Sequence, residues 1–506
     1  MPAKTLMVQG VASHVGKSVI VTALCRVFAQ DGYRVAPFKA WNMALNSYVT
    51  RNGLEIGRAQ GVQAEAAGID ATCDMNPFLL KPKGNMTSQV IMRGRPWADV
   101  DSGEGRRSFV EIALPVIRES LENLKGEFDI VVIEGAGSPA EINLRDRDVA
   151  NMRVARMADA PVLLVADIDR GGALAAIVGT LILLPEDERR YVAGSILNRF
   201  RGDMGILRPG IEALERRTGK PVLGVVPYMD GCLMDEEDSV SLERPQRPLG
   251  ISAGKDLDIA VICLPHLSNF TDFDAFAAER DAGVRYVREG DAMGNPDVII
   301  IPGTKNTVSD LLHLRKTGRA SEIAEKAAQG TYVVGICGGY QMLGRILRDP
   351  YGTEAGIGNI PGLGILPVET TFYPGKHTLR TRARVVTSVG WIGELAGEEV
   401  SGYEIHMGET RLYEGAEPVF LLSGRSEPEG AITPDGLVMG TYLHGLFDND
   451  GLRRSFLDYL RCKKGLEPLS GRSGKSARAL REERFDKLAE LVRRSIDMER
   501  IYELLR

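Results

Sequence analysis

Residues 10–18 (GVASHVGKS) form a glycine-containing loop between a short apolar segment and a predicted helix. This order is typical of a phosphate-binding loop, in which backbone N–H groups and the helix N-terminus hold phosphate oxygens. Gly10 and Gly16 would let the loop turn tightly. Lys17 would reach the β- and γ-phosphates of ATP, and the Ser18 hydroxyl would bind Mg²⁺. A tight turn with a surface lysine is the alternative, but the succession of strand, GKS and helix argues against it.

Two charged residues at the ends of predicted strands extend this candidate site. Lys39 ends the run VAPFK, and Glu134 ends the run FDIVVIE at residues 128–134. Ligands of open α/β folds bind at the carboxyl ends of parallel strands, so both side chains are expected near the loop. Glu134 is suited to holding Mg²⁺ or its water shell, whereas a solvated strand end is the alternative for Lys39. Asp167 and Asp169, after another strand, fit structural caps as well as metal ligands.

Cys337 lies in a second glycine-rich turn, GICGGYQML at residues 335–343. Glycines on both sides permit a sharp strand-to-helix turn, which exposes a nucleophile and directs backbone N–H groups at a developing oxyanion. A buried structural cysteine is the usual alternative, but the small residues on both sides favour a nucleophile. Gly303, in the turn PGTKN after another apolar run, either supplies an oxyanion N–H group or belongs to a simple loop.

A thiolate nucleophile requires a base, and two histidines late in the chain are candidates. His444 lies in GTYLHGLF, and His406 lies in GYEIHMG. Both have glycines nearby, and the residues alone favour His444 only slightly. Either histidine would have to be brought to Cys337 by the fold, because both lie far from it in sequence.

The elements that must position these residues alternate between strands and helices, which predicts an α/β protein. Continuous apolar runs separated by helical stretches indicate parallel sheets that are covered on both faces. We predict a P-loop NTPase-like domain with a parallel sheet at residues 1–230 and a linker at 231–255. A second α/β domain is predicted at 256–455, followed by a helical tail at 456–506.

The bulk composition of the 506 residues excludes several classes of protein. The formal net charge is −6 and no basic block stands out, so neither a nucleic acid nor an anionic membrane is an expected partner. The six cysteines form no CxxC pair, which is consistent with a reducing compartment. There is no signal peptide and no apolar run of about 18 residues, so we expect a cytoplasmic protein without a membrane span.

The turn around Cys337 resembles the nucleophile elbow of class I glutamine amidotransferases, and His444 matches their catalytic histidine. The resemblance implies that these two residues form the catalytic pair and that glutamine is the nitrogen donor. Most such domains have a glutamate two positions after the histidine, where this chain has Leu446. The cobyrinate-amidating branch also lacks it. A carboxylate from elsewhere or a backbone carbonyl is therefore expected to orient His444.

The phosphate loop is longer than the standard pattern and resembles that of dethiobiotin synthetase and its relatives. This resemblance implies that Asn198 matches the residue that recognises adenine in those proteins. Over essentially the whole chain, longer stretches are similar to the cobyric acid synthases of cobalamin biosynthesis. These stretches are NMALNS (42–47), GRAQ (57–60), QAEAAG (63–68), DMNP (74–77) and NRFRGD (198–203). Trp41 stands where a polar residue is expected, a difference that would alter a substrate contact.

The resemblance implies an ATP- and glutamine-dependent amidation of the b, d, e and g carboxylates of (adenosyl)cobyrinic acid a,c-diamide. ATP would phosphorylate a carboxylate, Cys337 would release ammonia from glutamine, and ammonia would displace the phosphate. A corrinoid is then the expected small-molecule partner, and residues 42–47 would either face it or cap loops. One alternative is the sister synthase that makes the a,c-diamide. The other is a non-catalytic ATPase switch of the ParA/MinD kind with a degenerate glutaminase domain.

Overall fold

The computed structural model describes residues 2–84, 87–101, 105–229, 254–354, 358–469 and 476–506. The chain divides into two compact units. Unit 1 comprises Met1–Ala44, Leu54–Glu237 and Arg481–Arg506, and unit 2 comprises Leu45–Gly53 and Asp238–Leu480. Most of the predicted linker, residues 231–253, lies outside the described residues.

The strands are, in chain order, β1 (Lys4–Gly10), β2 (Val35–Phe38), β3 (Trp41–Met43), β4 (Ser47–Val49), β5 (Glu55–Gly57), β6 (Phe78–Gly84), β7 (Thr87–Met92), β8 (Arg95–Asp101), β9 (Ile130–Glu134), β10 (Val162–Asp167), β11 (Val192–Phe200), β12 (Val222–Pro227), β13 (Leu257–Ile262), β14 (Ala282–Val287), β15 (Val298–Ile301), β16 (Tyr332–Ile336), β17 (Ile346–Asp349), β18 (Gly358–Pro361), β19 (Val368–Val385), β20 (Glu399–Leu412), β21 (Glu417–Leu422), β22 (Pro428–Ile432) and β23 (Val438–Thr441).

The α-helices are α1 (Lys17–Gln30), α2 (Arg58–Ala66), α3 (Gly105–Glu127), α4 (Met152–Ala158), α5 (Ala173–Leu183), α6 (Glu186–Arg189), α7 (Met204–Thr218), α8 (Thr307–Lys316), α9 (Arg319–Ala328), α10 (Gly338–Leu343), α11 (Gly390–Gly393), α12 (Asp450–Lys463), α13 (Ala477–Ser495) and α14 (Met498–Leu504). Short 3₁₀ helices occupy Cys73–Met75, Ile142–Arg147, Phe270–Ala278 and Leu446–Asp448.

Unit 1 is built on a parallel sheet with the strand order β12-β11-β10-β1-β9-β2. Every residue of β9 and β10 is buried, as expected for apolar runs in a sheet that is covered on both faces. The strand before the phosphate loop, β1, is central, and its register pairs Val8 with Glu134. The sheet therefore brings the end of β9 beside the start of the loop.

The C-terminal helices complete the core of unit 1. Leu488, Val492 and Ile501 are fully buried in the same hydrophobic cluster as the inner face of α1. Burying such side chains stabilises a fold by about 1.5–3 kcal/mol each. Residues 481–506 of the predicted helical tail thus pack beneath the phosphate-loop helix, whereas the first part of that tail, in α12, belongs to unit 2.

Unit 2 contains a mixed sheet with the order β14-β13-β15-β16-β23-β22-β21-β19-β17-β18, and β20 pairs with β19. The five strands from β14 to β23 are parallel to one another. Because β15, β16 and β23 are adjacent, the loops after them meet at one edge of the sheet. Those loops carry Gly303, Cys337 and His444.

In the described part of the chain, no helix has both the length and the apolar character needed to cross a membrane.

Candidate active sites

The phosphate loop runs from the end of β1 into α1, and its two glycines are required by close contacts. Gly16 has a φ of 97°, and a Cβ there would lie 2.1 Å from Asn198 Nδ2. A Cβ on Gly10 would lie 2.7 Å from the Ala12 carbonyl oxygen. Lys17 Nζ donates to that same carbonyl at 3.2 Å, so its side chain folds back over the loop. The ammonium group thus lies against the backbone of the loop.

Glu134 is the centre of a buried polar cluster beside the loop. Ser18 Oγ donates to Glu134 Oε1 at 2.8 Å, and Lys39 Nζ forms an ion pair with the same oxygen at 2.9 Å. Gln63 Nε2 donates to the other oxygen at 2.7 Å. Glu134 is only 1% exposed, and a buried carboxylate needs such partners. The structure thus brings together three predicted residues and adds Gln63, whose only signal in the sequence was its place in a family-like stretch.

The remaining polar candidates of unit 1 lie around the ends of β10 and β11. Asn198 Nδ2 donates to the Val15 carbonyl at 2.8 Å and so holds the phosphate loop. Asp167 forms an ion pair with Arg199 at 2.8 Å and accepts the backbone N–H of Asp169 at 3.0 Å. These bonds support the interpretation of Asp167 as a structural cap.

A cavity of about 800 Å³ adjoins the phosphate loop within unit 1. Ser13 of the loop and two aromatic side chains line it, Trp41 and Phe109, whose rings meet edge to face at 5.0 Å. Its wall also carries the arginines Arg145, Arg147, Arg153 and Arg156. The same wall carries the acidic residues Glu141, Asp146, Asp148 and Glu188, and Glu188 pairs with Arg145 at 3.2 Å. The cavity therefore combines an aromatic surface with charges of both signs, which suits a large ligand with apolar and charged parts.

Cys337 occupies a strained turn between β16 and α10. Its φ is 52° and its ψ is −109°, a region that costs a residue with a side chain about 1–3 kcal/mol. Cβ atoms on Gly338 and Gly339 would lie 2.6 Å from Thr304 Cγ2 and 1.9 Å from the Ile301 carbonyl oxygen. The glycines are thus required where the elbow approaches the loop after β15. Such strain is typical of a turn that presents a nucleophile.

His444 is oriented by a carboxylate from a distant part of the chain. Its Nδ1 lies 2.6 Å from Asp272 Oδ2, and Asp272 Oδ1 accepts the backbone N–H of Gly445 at 3.1 Å. Asp272 lies in the 3₁₀ helix Phe270–Ala278, which precedes His444 by more than 160 residues. A carboxylate from elsewhere in the chain and a backbone carbonyl were the two groups expected to orient His444, and the structure shows the carboxylate. Sequence reasoning missed Asp272, because no spacing motif links it to the histidine.

The surroundings of His444 favour its charged form. Burial alone opposes the charged histidine, but Asp272 and the hydrogen bond and charge of Cys337 raise the pKa of His444. The Tyr403 ring stacks on the imidazole with centroids 5.1 Å apart. Gly303 also adjoins the ring, since a Cβ there would lie 3.0 Å from His444 Cε1. Cys337, His444 and Asp272 thus have the arrangement of a nucleophile, a base and an orienting acid.

His406, the other candidate base, is engaged elsewhere. Its Nδ1 lies 3.0 Å from the Gly408 carbonyl oxygen, so this nitrogen carries the proton. The Tyr442 ring stacks on it with centroids 3.7 Å apart, and burial lowers the pKa of His406. The contacts therefore favour His444 over His406 as the partner of Cys337.

The polar stretch at 42–47 does not gather at one site. Asn42 Nδ2 donates to Gln60 Oε1 at 3.0 Å in unit 1. Ser47 belongs to unit 2, where its backbone N–H donates to Asn269 Oδ1 at 3.0 Å.

Comparisons with known proteins match each half of the chain to a known domain. Residues 6–239 match the model of the CobQ/CobB/MinD/ParA nucleotide binding domain, and residues 258–452 match that of the CobB/CobQ-like glutamine amidotransferase domain. A cobyric acid synthase from Desulforamulus reducens is 52% identical over 99% of this chain and 98% of its own length. Those from Pelotomaculum thermopropionicum and Geobacillus kaustophilus are 53% and 49% identical, each over 99% of this chain and 97% of its own length.

The chain belongs to the cobyric acid synthase family. The resemblance stated from the sequence is confirmed, as is the fold class: a P-loop NTPase-like domain joined to a glutamine amidotransferase domain. Membership in this family makes the chain a glutamine-hydrolysing carbon–nitrogen ligase that uses ATP. It does not favour the non-catalytic ATPase switch.

Replacing Asp272 by asparagine should slow glutamine hydrolysis by about 10²–10⁴-fold, because the amide cannot stabilise the imidazolium of His444. Without the carboxylate the pKa of His444 falls, so the Cys337 thiolate forms only at higher pH. The rate of Cys337 alkylation by iodoacetamide, measured against pH, should therefore shift upward on the pH axis. Asp274→Asn, which removes a charge from the same 3₁₀ helix, is the matched control. An unchanged profile in Asp272→Asn would mean that another group orients His444.

Proposed function

We propose that the chain converts (adenosyl)cobyrinic acid a,c-diamide to (adenosyl)cobyric acid by amidating the b, d, e and g carboxylates. The observation that carries this proposal is the presence of a phosphate loop and a Cys–His–Asp site on one chain. That chain is 52% identical, over nearly its full length, to a protein named cobyric acid synthase. Each amidation would consume one ATP and one glutamine.

The residues of unit 1 support an acyl-phosphate route. A carboxylate is a poor electrophile, and transfer of the γ-phosphoryl group gives it a leaving group. Lys17 and Lys39 would offset the negative charge that develops on the transferred group. The Ser18 hydroxyl and the Glu134 carboxylate lie 2.8 Å apart and supply the hard oxygen ligands that Mg²⁺ prefers. These two residues would hold Mg²⁺, which when bound neutralises phosphate charge.

The residues of unit 2 support release of ammonia from glutamine. The Cys337 proton would pass to His444, and Sγ would attack the side-chain amide to form a thioester. Asp272 would stabilise the imidazolium, which then protonates the departing ammonia. Water would hydrolyse the thioester to glutamate. Ammonia would displace phosphate from the acyl phosphate, and this last step requires that water be kept away from the intermediate.

The aromatic, arginine-lined cavity of unit 1 is proposed to bind the corrinoid. Its apolar walls would contact the macrocycle, and its arginines would pair with peripheral carboxylates. Arg147→Gln should therefore raise the KM for the corrinoid about tenfold, the effect of losing one charged contact. The KM for glutamine should not change. Arg190→Gln, at a residue that packs over Tyr191 instead, is the control. A KM for the corrinoid that stays the same in Arg147→Gln would place the substrate elsewhere.

The substrate can be tested directly with purified protein, ATP, Mg²⁺ and glutamine. We expect cobyrinic acid a,c-diamide to be converted through successive carboxylate-to-amide mass changes to cobyric acid. ADP, phosphate and glutamate should appear in equal amounts with each amide. Conversion of cobyrinic acid but not of its a,c-diamide would instead identify the sister synthase.

A further inference from the structure

Residues Leu45–Gly53 belong to unit 2, although the residues on both sides of them in sequence belong to unit 1. The segment includes β4, and all three residues of this strand are buried. Ser47 is 1% exposed, and its backbone N–H donates to Asn269 Oδ1 at 3.0 Å. A stretch that the sequence places in the nucleotide-binding half therefore contacts a residue next to the glutaminase base.

Asn269 is held in an unusual backbone conformation beside His444. It has a φ of 53° and a ψ of 37°, and it precedes the 3₁₀ helix that carries Asp272. Asparagine tolerates this left-handed region better than most residues. Its side chain is buried, and Asn269 Nδ2 lies 3.4 Å from His444 Nε2. The residue thus links the Ser47 backbone to the reactive nitrogen of the base.

The orientation of the Asn269 amide follows from its partners. A backbone N–H can only donate, so the atom that faces Ser47 must be the amide oxygen. The amide NH₂ group must then face His444. In the neutral imidazole, Nδ1 donates to Asp272, so Nε2 carries the lone pair that receives the Cys337 proton. The amide therefore directs a donor at the lone pair that the reaction needs.

An amide donor at this position opposes protonation of Nε2. If Nε2 were protonated, its N–H would face the N–H of the Asn269 amide, and the two donors would repel each other. The neutral nitrogen can instead accept the amide hydrogen. In the described part of the chain, the other titratable groups that face the ring are Asp272, Cys337 and the stacked Tyr403. Asp272 and Cys337 favour the imidazolium, whereas the Asn269 amide favours the neutral ring.

We infer that Asn269 is a positioning residue that restrains the His444 base, with its amide set in that orientation by the Ser47 backbone. Turning the amide or moving the segment would release the Nε2 lone pair to the Cys337 thiol. The inference rests on the proposed function to the extent that Cys337 and His444 hydrolyse glutamine. The contact between Ser47 and Asn269 would then let residues 45–53 set the rate of glutamine hydrolysis in the absence of nucleotide and corrinoid.

Two variants test the restraint in the full-length protein. Asn269→Asp keeps an acceptor for the Ser47 N–H but places a carboxylate oxygen, which attracts the imidazolium, at Nε2. Asn269→Gly removes the side chain and tolerates the positive φ. Without nucleotide or corrinoid, both should be alkylated by iodoacetamide at Cys337 about three- to tenfold faster at neutral pH, with Asn269→Asp the faster. The pH profile of alkylation should shift downward in both.

Glutamine hydrolysis without ATP or corrinoid is the second measurement. Its kcat should rise in both variants while the KM for glutamine stays the same, a division that general loss of structure would not produce. Asn295→Gly, which removes an exposed asparagine of unit 2, is the control. Alkylation that is unchanged or slower in a folded Asn269→Gly protein overturns the inference, because a carboxylate at position 269 would favour the imidazolium with or without the restraint. Failure of the proposed function would appear separately, as absent glutamate release by the wild type with all substrates.

Discussion

Replacing Cys337 by alanine should abolish glutamine-dependent amidation while ammonia-dependent amidation survives. Removing a nucleophile of this kind lowers the rate of its reaction by about 10⁴-fold or more. Free ammonia would not need the thiol, because it would attack the proposed acyl phosphate directly. Amide formation should be measured with glutamine and with ammonium salt at raised pH, where more of the ammonia is unprotonated. Release of glutamate from glutamine should vanish whether cobyrinic acid or its a,c-diamide is supplied.

Cys337→Ser is a useful second variant, since it keeps the shape of the side chain in the strained turn. Cys462→Ala, at an exposed cysteine, is the control and should behave as the wild type. If ammonia does not rescue a folded Cys337→Ala protein, the proposed division of labour between the two units is wrong. If glutamine still supports synthesis, Cys337 is not the nucleophile.

Replacing Lys17 by alanine should abolish synthesis with glutamine and with ammonia alike. In the proposed route both nitrogen sources would require the activated carboxylate, and the ammonium group of Lys17 lies against the loop that would hold the phosphates. Loss of such a charge from a phosphoryl-transfer site lowers the rate by about 10³-fold or more. Corrinoid-dependent ADP formation, followed together with amide formation, measures the effect.

Lys487→Ala is the matched control, because it removes an exposed lysine of unit 1 that pairs with Glu483 on a surface helix. It should retain full activity. The glutaminase of Lys17→Ala should still be alkylated at Cys337, which shows that unit 2 is intact. Ammonia-dependent synthesis in Lys17→Ala at a rate near that of the wild type would contradict the acyl-phosphate route.

Much of the fold was predictable because its strands are continuous apolar runs. β9, β10 and β16 lie where such runs predicted them, since residues in a doubly covered sheet are buried whichever way they point. The small sheet formed by β3, β6, β7 and β8 was not predicted. Its strands alternate between apolar and polar residues or carry charged residues. One of these is Lys81, which is buried and forms an ion pair with Glu55. Only the tertiary partner makes that burial favourable.

The sequence by itself determined the two turns that carry the chemistry. A strand, a glycine-dependent turn and a helix are set by steric contacts among residues close in the chain, so GKS at the phosphate loop and the glycines around Cys337 were readable. The tertiary structure decided the partners of those turns. Asp272 at His444, Gln63 at Glu134 and Ser47 at Asn269 are separated by long stretches of chain. Such pairs depend on which strand ends become neighbours, and no local pattern of residues encodes that.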